Sequence, residues 1–117
     1  MHNAITIKNL KKIYRGKKDK EVLHDINLAI PKGQFFGLLG PNGAGKTTTI
    51  SCIIGVSSPT KGNIFVLGND VVKDYREARA CVGVSPQEFT IDTFQTVDEI
   101  LDYQAGFFGI TGIRMKE

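Results

Sequence analysis

Apolar and polar positions alternate near the N-terminus. Residues 4–10 place Ile5 and Ile7 on one side, the period-two pattern of a strand with one buried face. Residues 22–30 alternate again through Ile26, Leu28 and Ile30. Pro31-Lys32-Gly33 reads as a turn, and 34–39 is a short apolar run, the pattern of a strand buried on both faces. Ile50, Ile53 and Ile54 fall at helical spacing, which predicts a helix over 47–54 with Gly55 as its stop. After a loop at 57–62, residues 63–67 read as a strand that turns at Gly68-Asn69. A short helix capped by Asp74 is predicted over 74–80, and 81–85 is strand-like. Thr96 and Glu99 have the spacing of a capping box, and Val97, Ile100, Leu101, Gln104 and Ala105 continue with a helical period. Strands and helices mix as in an α/β domain with a strand–loop–helix centre.

Composition narrows the class. The chain has 117 residues, of which 41% are apolar, the profile of one globular domain or part of a larger one. No apolar run approaches the roughly 20 residues of a membrane-spanning helix. Met1-His2-Asn3-Ala4-Ile5 lacks the basic-then-apolar pattern of a secretion signal. Cys52 and Cys81 have no metal-ligand spacing and read as two reduced core thiols. The formal charge is +3, and much of it lies in the basic segment 8–20. That segment reads as a solvated polar loop over 11–20, with an anionic nucleic-acid or membrane partner as the other reading.

One stretch carries specific chemistry. Gly40-Pro41-Asn42-Gly43-Ala44-Gly45-Lys46-Thr47 fits the phosphate-loop spacing, with a predicted strand before it and a predicted helix after it. Gly40, Gly43 and Gly45 permit backbone angles closed to other residues, so that successive N–H groups can turn inward around an anion. The helix start adds the positive end of its dipole. Lys46 would reach the β- and γ-phosphates as a point charge, and the Thr47 hydroxyl would be a ligand to magnesium. Thr48 is placed to donate to the α-phosphate. A glycine turn that binds nothing has no use for a lysine–threonine pair. The pattern alone implies a magnesium-bound triphosphate and does not separate transport ATPases, kinases, GTPases and DNA-repair ATPases.

The stretch from Leu38 to Thr48, with its Pro-Asn-Gly insert, resembles the nucleotide-binding subunit of an ABC transporter. The resemblance runs from Ile5 to about Phe108. It implies ATP and Mg2+ as the cofactors and a P-loop NTPase fold: an α/β N-terminal core of an ABC nucleotide-binding domain with an antiparallel β-subdomain. On this reading residues 1–117 are a partial ATP-binding domain holding β-subdomain, P-loop and Q-loop, with the helical subdomain only begun. Val82-Gly83-Val84-Ser85-Pro86-Gln87-Glu88 resembles the family's Q-loop. By that resemblance Gln87 would touch magnesium and the attacking water, and would sense the membrane partner. Lys46 and Gln87 are thus the expected catalytic residues, and Thr47 and Gln87 the expected metal ligands. Tyr14 stands where the family places an aromatic residue that stacks on adenine. Residues 86–89 and 104–109 look like bacterial exporters of drug or polysaccharide type.

The resemblance also implies partners: transmembrane permease subunits, and a second nucleotide-binding subunit that closes an ATP sandwich at the cytoplasmic face of the plasma membrane. The family's signature motif, Walker B acid and switch histidine are not found within the 117 residues. Asp98 and Glu99 read as first-turn acids of a helix. The C-terminal half of the domain is therefore expected to be absent, and hydrolysis by this chain alone is not expected. Two alternatives stand beside the transporter. One is a soluble ABC-type ATPase acting on nucleic acid or ribosomes through segment 8–20. The other is a non-catalytic truncated remnant.

Overall fold

The computed structural model describes residues 2–87 and 94–110. They fall into two compact units divided after Gly83. In the first unit, β1 (Asn3–Tyr14) and β2 (Lys20–Pro31) form a long antiparallel hairpin, and β3 (Lys61–Val66) pairs with the other edge of β1. A two-residue loop, Leu67-Gly68, turns β3 into β4 (Asn69–Asp70), with φ of 47° and 87°. Two positive φ values are what a tight hairpin needs to match the strand twist. The sheet order is β2-β1-β3-β4.

Alternation decides which face is covered. Ile7 and Leu10 of β1, Leu23 of β2, and Ile64 and Val66 of β3 point into one apolar cluster. Helices α1 (Lys46–Ile53) and α2 (Tyr75–Ala80) add Cys52 and Ala78 to it. Ile7, Leu10, Leu23, Ile64 and Cys52 are essentially sealed from solvent, each large aliphatic contributing about 1.5–3 kcal/mol of burial. At Gly62, an added β-carbon would lie 2.4 Å from the carbonyl oxygen of Asn9, so β3 can approach β1 there only without a side chain.

Asp70 organises the approach to α2. Its side chain is buried and accepts hydrogen bonds from the amides of Val72 and Lys73 and from Asn63. Burial alone would raise its carboxyl, but these donors and the Lys73 charge together hold it below the ordinary value. Asp74 occupies the expected cap position of α2, yet its carboxylate accepts from the amide of Asp70 and makes no cap bond.

Several expectations are corrected. Residues 34–39 form no strand, and Phe35 and Leu39 are 109% and 94% exposed. A strand buried on both faces needs hydrogen-bonded neighbours, and among the described residues none runs beside it. Residues 81–85 are irregular for the same reason, which leaves Cys81 exposed, whereas Cys52 is the core thiol expected. The basic segment is not one loop. β1 continues to Tyr14 and β2 starts at Lys20, so only 15–19 turns. Its charges are partly engaged, Lys11 with Asp25 at 3.3 Å and Arg15 with Asp19 at 2.5 Å.

The second unit contains α3 (Val97–Phe107). Its capping box is formed as the spacing predicts: Thr96 Oγ1 accepts from the Glu99 amide, and the Glu99 carboxylate accepts from the Thr96 amide. These bonds draw the Glu99 carboxyl below its ordinary value. Of the two exporter-like segments, Glu88 and Phe89 in 86–89 lie outside the described residues. No helix among the described residues is long and apolar enough to cross a membrane.

Candidate functional site

The phosphate loop leads directly into α1. Gly43 and Gly45 take φ of 84° and 92°, and Gly45 is the residue at the helix start. An added β-carbon at Gly45 would lie 2.5 Å from Leu23 Cδ2 and 3.3 Å from the Val22 carbonyl oxygen. Glycine here lets the loop rest on β2. The Ala44 amide donates to the Pro41 carbonyl at 3.2 Å and closes the turn. The Thr49 amide and hydroxyl both donate to the Gly45 carbonyl, at 2.9 and 2.8 Å, and pin the first helical turn.

The opening turn of a helix has amides without intrahelical acceptors. In α1 these belong to Lys46, Thr47 and Thr48. Lys46 Nζ folds back over the loop and donates to the carbonyls of Gly40 and Pro41, the latter at 3.0 Å. No carboxylate neutralises it among the described ion pairs. An ammonium group held by two neutral carbonyls retains its full charge for an anion. Directed amides, a helix dipole and an unneutralised ammonium make a donor set for polyphosphate.

A cleft of ≈ 440 Å³ lies beside this turn. Pro41, Asn42, Gly43, Gly45, Lys46, Thr47 and Thr48 line one wall, so most of the sequence-predicted loop residues meet there. Gly40 and Ala44 belong to the loop but do not line the cleft. The facing wall is β2: Lys20, Glu21, Val22 and His24. Their only signal was position, since β2 carries no motif, and His24 beside Asp25 reads from sequence as a surface strand residue.

Tyr14 is the last residue of β1, paired with Lys20 across the hairpin, and is 47% exposed. The Lys12 ammonium lies 5.1 Å from its ring centroid. Tyr14 does not itself line the cleft. Gln87 is exposed and belongs to the second unit. No cluster of His, Cys, Asp or Glu suited to a metal ion occurs among the described residues. The Thr47 hydroxyl at the cleft is an oxygen ligand of the kind that magnesium takes beside phosphate and water.

Fold and loop together define a P-loop nucleotide-binding core with an antiparallel β-subdomain. The family model for ABC transporters matches residues 23–116, and the chain belongs to that family. It is 45% identical over 109 residues to ABC transporter A family member 5 of Dictyostelium discoideum, covering 92% of this chain and 7% of that protein. Nod factor export ATP-binding protein I of Cupriavidus metallidurans is 35% identical over 117 residues, with 100% of this chain and 38% of that protein covered. The fold superposes on an ATP-binding cassette solved as a post-hydrolysis dimer with ADP and Pi, with a TM-score of 0.79 and 25% identity over 96% of this chain and 53% of that one. The chain thus spans well under half the length of either relative.

Proposed function

We propose that this chain is the ATP-binding front part of an energy-coupling subunit of an ABC transporter, of exporter type. The observation that carries the reading is the phosphate loop seated on β2, with the first-turn amides of α1 and the Lys46 ammonium at one cleft. Lys46 would bind the β- and γ-phosphates, Thr47 the magnesium ion, and Thr48 the α-phosphate. Gly40, Pro41, Asn42, Gly43, Ala44 and Gly45 would supply the backbone cradle. Tyr14, at the end of β1, would stack on the base. Gln87 would touch the magnesium ion and the attacking water, as the family resemblance implies.

Export is favoured by the relative named for Nod factor export. The partners on this reading are permease subunits and a second nucleotide-binding subunit, at the cytoplasmic face of the membrane. The signature motif, Walker B acid and switch histidine are not read in these 117 residues, and on this reading the chain by itself would turn ATP–Mg2+ over far below the ~1 per second of ordinary enzymes. The test is calorimetric titration of the purified chain with ATP–Mg2+. The parent binds and Lys46→Ala does not. Equal binding by the two would remove Lys46 from the site, and no heat with any nucleoside triphosphate would end the reading.

A further inference from the structure

The sheet face turned away from the core carries a second cavity, of ≈ 370 Å³. Thr6 and Lys8 of β1 and Phe65 of β3 line it. They alternate with Ile7, Ile64 and Val66, which belong to the core, and successive side chains of a strand point to opposite faces. The cavity shares no residue with the nucleotide cleft.

A bulge shapes β1 here. From Ile7↔Leu28 to Leu10↔Ile26, β1 advances three residues while β2 advances two, and from Lys8↔Asn63 to Lys11↔Lys61 it advances three against two of β3. Asn9 takes a φ of 49°. Both neighbouring strands hold the bulge. The Asn9 amide donates to Asn27 Oδ1 at 2.9 Å, and Gly62 makes room for the Lys8 and Asn9 carbonyls, which lie 2.5 and 2.4 Å from where its β-carbon would stand. The extra residue returns Leu10 to the core while Lys8 stays on the outer face.

The lining combines cations with an apolar wall. Lys8 Nζ lies 5.8 Å from the centroid of the Phe65 ring, whose residue pairs with Thr6, a cation–π contact that draws the ammonium over the cavity. Lys32 reaches the same cavity from just past the end of β2. Among the described residues no carboxylate lines the cavity, and neither lysine is in an ion pair. Asn3 Nδ2 donates to Thr6 Oγ1 at 3.4 Å, which leaves the Thr6 O–H to donate elsewhere. Phe65 and Leu67 supply the apolar wall. A concave site of this size suits a small molecule. Two ammonium groups and a hydroxyl donor match the roughly two charges and three acceptor oxygens of a phosphate monoester.

We propose that this outer-face cavity binds a small organic phosphate, with its phosphate group at Lys8, Lys32 and Thr6 and its apolar body against Phe65 and Leu67. The inference does not depend on the nucleotide-binding reading.

The probe is phenyl phosphate, titrated into the isotope-labelled 117-residue chain and followed through backbone amide shifts by NMR. Saturable shifts are expected at Thr6, Lys8, Phe65 and Leu67. Shifts at 40–48 would report the phosphate loop instead; Lys46→Ala should remove those and leave the outer-face shifts intact. Lys8→Gln and Lys32→Gln should each weaken outer-face binding about tenfold, the value of a hydrogen bond to a charged group. Benzyl alcohol, which has the ring without the charge, should leave these amides unmoved at the same concentration. The spectrum of each variant also reports whether it is folded. The proposal is overturned if phenyl phosphate moves no outer-face amide saturably, or if a folded Lys8→Gln/Lys32→Gln double variant binds as the parent does. It is equally overturned, in favour of a membrane surface, if the chain ignores phenyl phosphate but sediments with vesicles containing phosphatidic acid through the same two lysines.

Discussion

Placing a single methyl group at Gly45 tests the claim that the phosphate loop depends on close contact with β2. Alanine there faces two costs. Its φ of 92° is a conformation that residues with a β-carbon hold only with strain of about 1–3 kcal/mol. The new carbon would also sit 2.5 Å from Leu23 Cδ2. A leucine tip can often rotate away, but Leu23 is 1% exposed within the core cluster, so crowding adds about 1–3 kcal/mol. Loss of chain entropy in the unfolded state returns about 0.4–1 kcal/mol. The net expectation for Gly45→Ala is a destabilisation of about 1–5.5 kcal/mol, a large part of the roughly 5–15 kcal/mol of a typical domain. Gly43→Ala separates the two causes, because Gly43 has a φ of 84° with nothing within 4 Å of the added carbon. It should show only the conformational cost of about 1–3 kcal/mol. Urea unfolding of the two variants, read at unchanged m-value, measures both. Combining Gly45→Ala with Leu23→Ala should show a favourable coupling of about 1–3 kcal/mol, because the smaller side chain removes the clash. A Gly45→Ala protein within about 0.5 kcal/mol of the parent, the usual range for innocuous surface changes, and with unchanged ATP affinity would refute the seating of the loop on β2.

Further outcomes follow from other contacts. Tyr14→Ala should weaken ATP binding by about 1–3 kcal/mol if the ring stacks on the base; an unchanged affinity in calorimetry would leave Tyr14 to its contact with Lys12. Asp70 titrates below its ordinary 3.8 in the fold, so its stabilisation is present above that pH and is lost as pH falls through the lowered value. Asp70→Asn should therefore flatten this part of the acid-unfolding curve, and an identical acid limb in both proteins would contradict the assignment. Thr96→Ala should cost about 1 kcal/mol at the start of α3, read as reduced helicity by circular dichroism; no loss would mean that the capping box does not hold the helix.

The sequence made the phosphate loop legible because its chemistry is local. Glycine spacing, the Lys46-Thr47 pair and the helix that follows all lie within a few residues. The β1, β2 and β3 strands, α1 and the α3 capping box were legible for the same reason: period and cap residues are short-range signals. Residues 34–39 and 81–85 read as strands, yet a strand is defined by its neighbours, and none pairs with them among the described residues. The facing wall was hidden by a different cause. Lys20, Glu21, Val22 and His24 acquire their place from bulges at Val22 and Asp25, and a bulge shifts which residues face which way without altering the apolar pattern much. Alternation counted evenly along β2 predicts one face from Val22 to Ile30, but the extra residues reset the phase twice. Leu23 then turns inward against Gly45, and the motif glycine acquires its requirement from a residue 22 positions earlier in the chain. The conformation of the loop is thus partly written in β2, and its position should shift when β2 is altered even though every residue of the motif is kept.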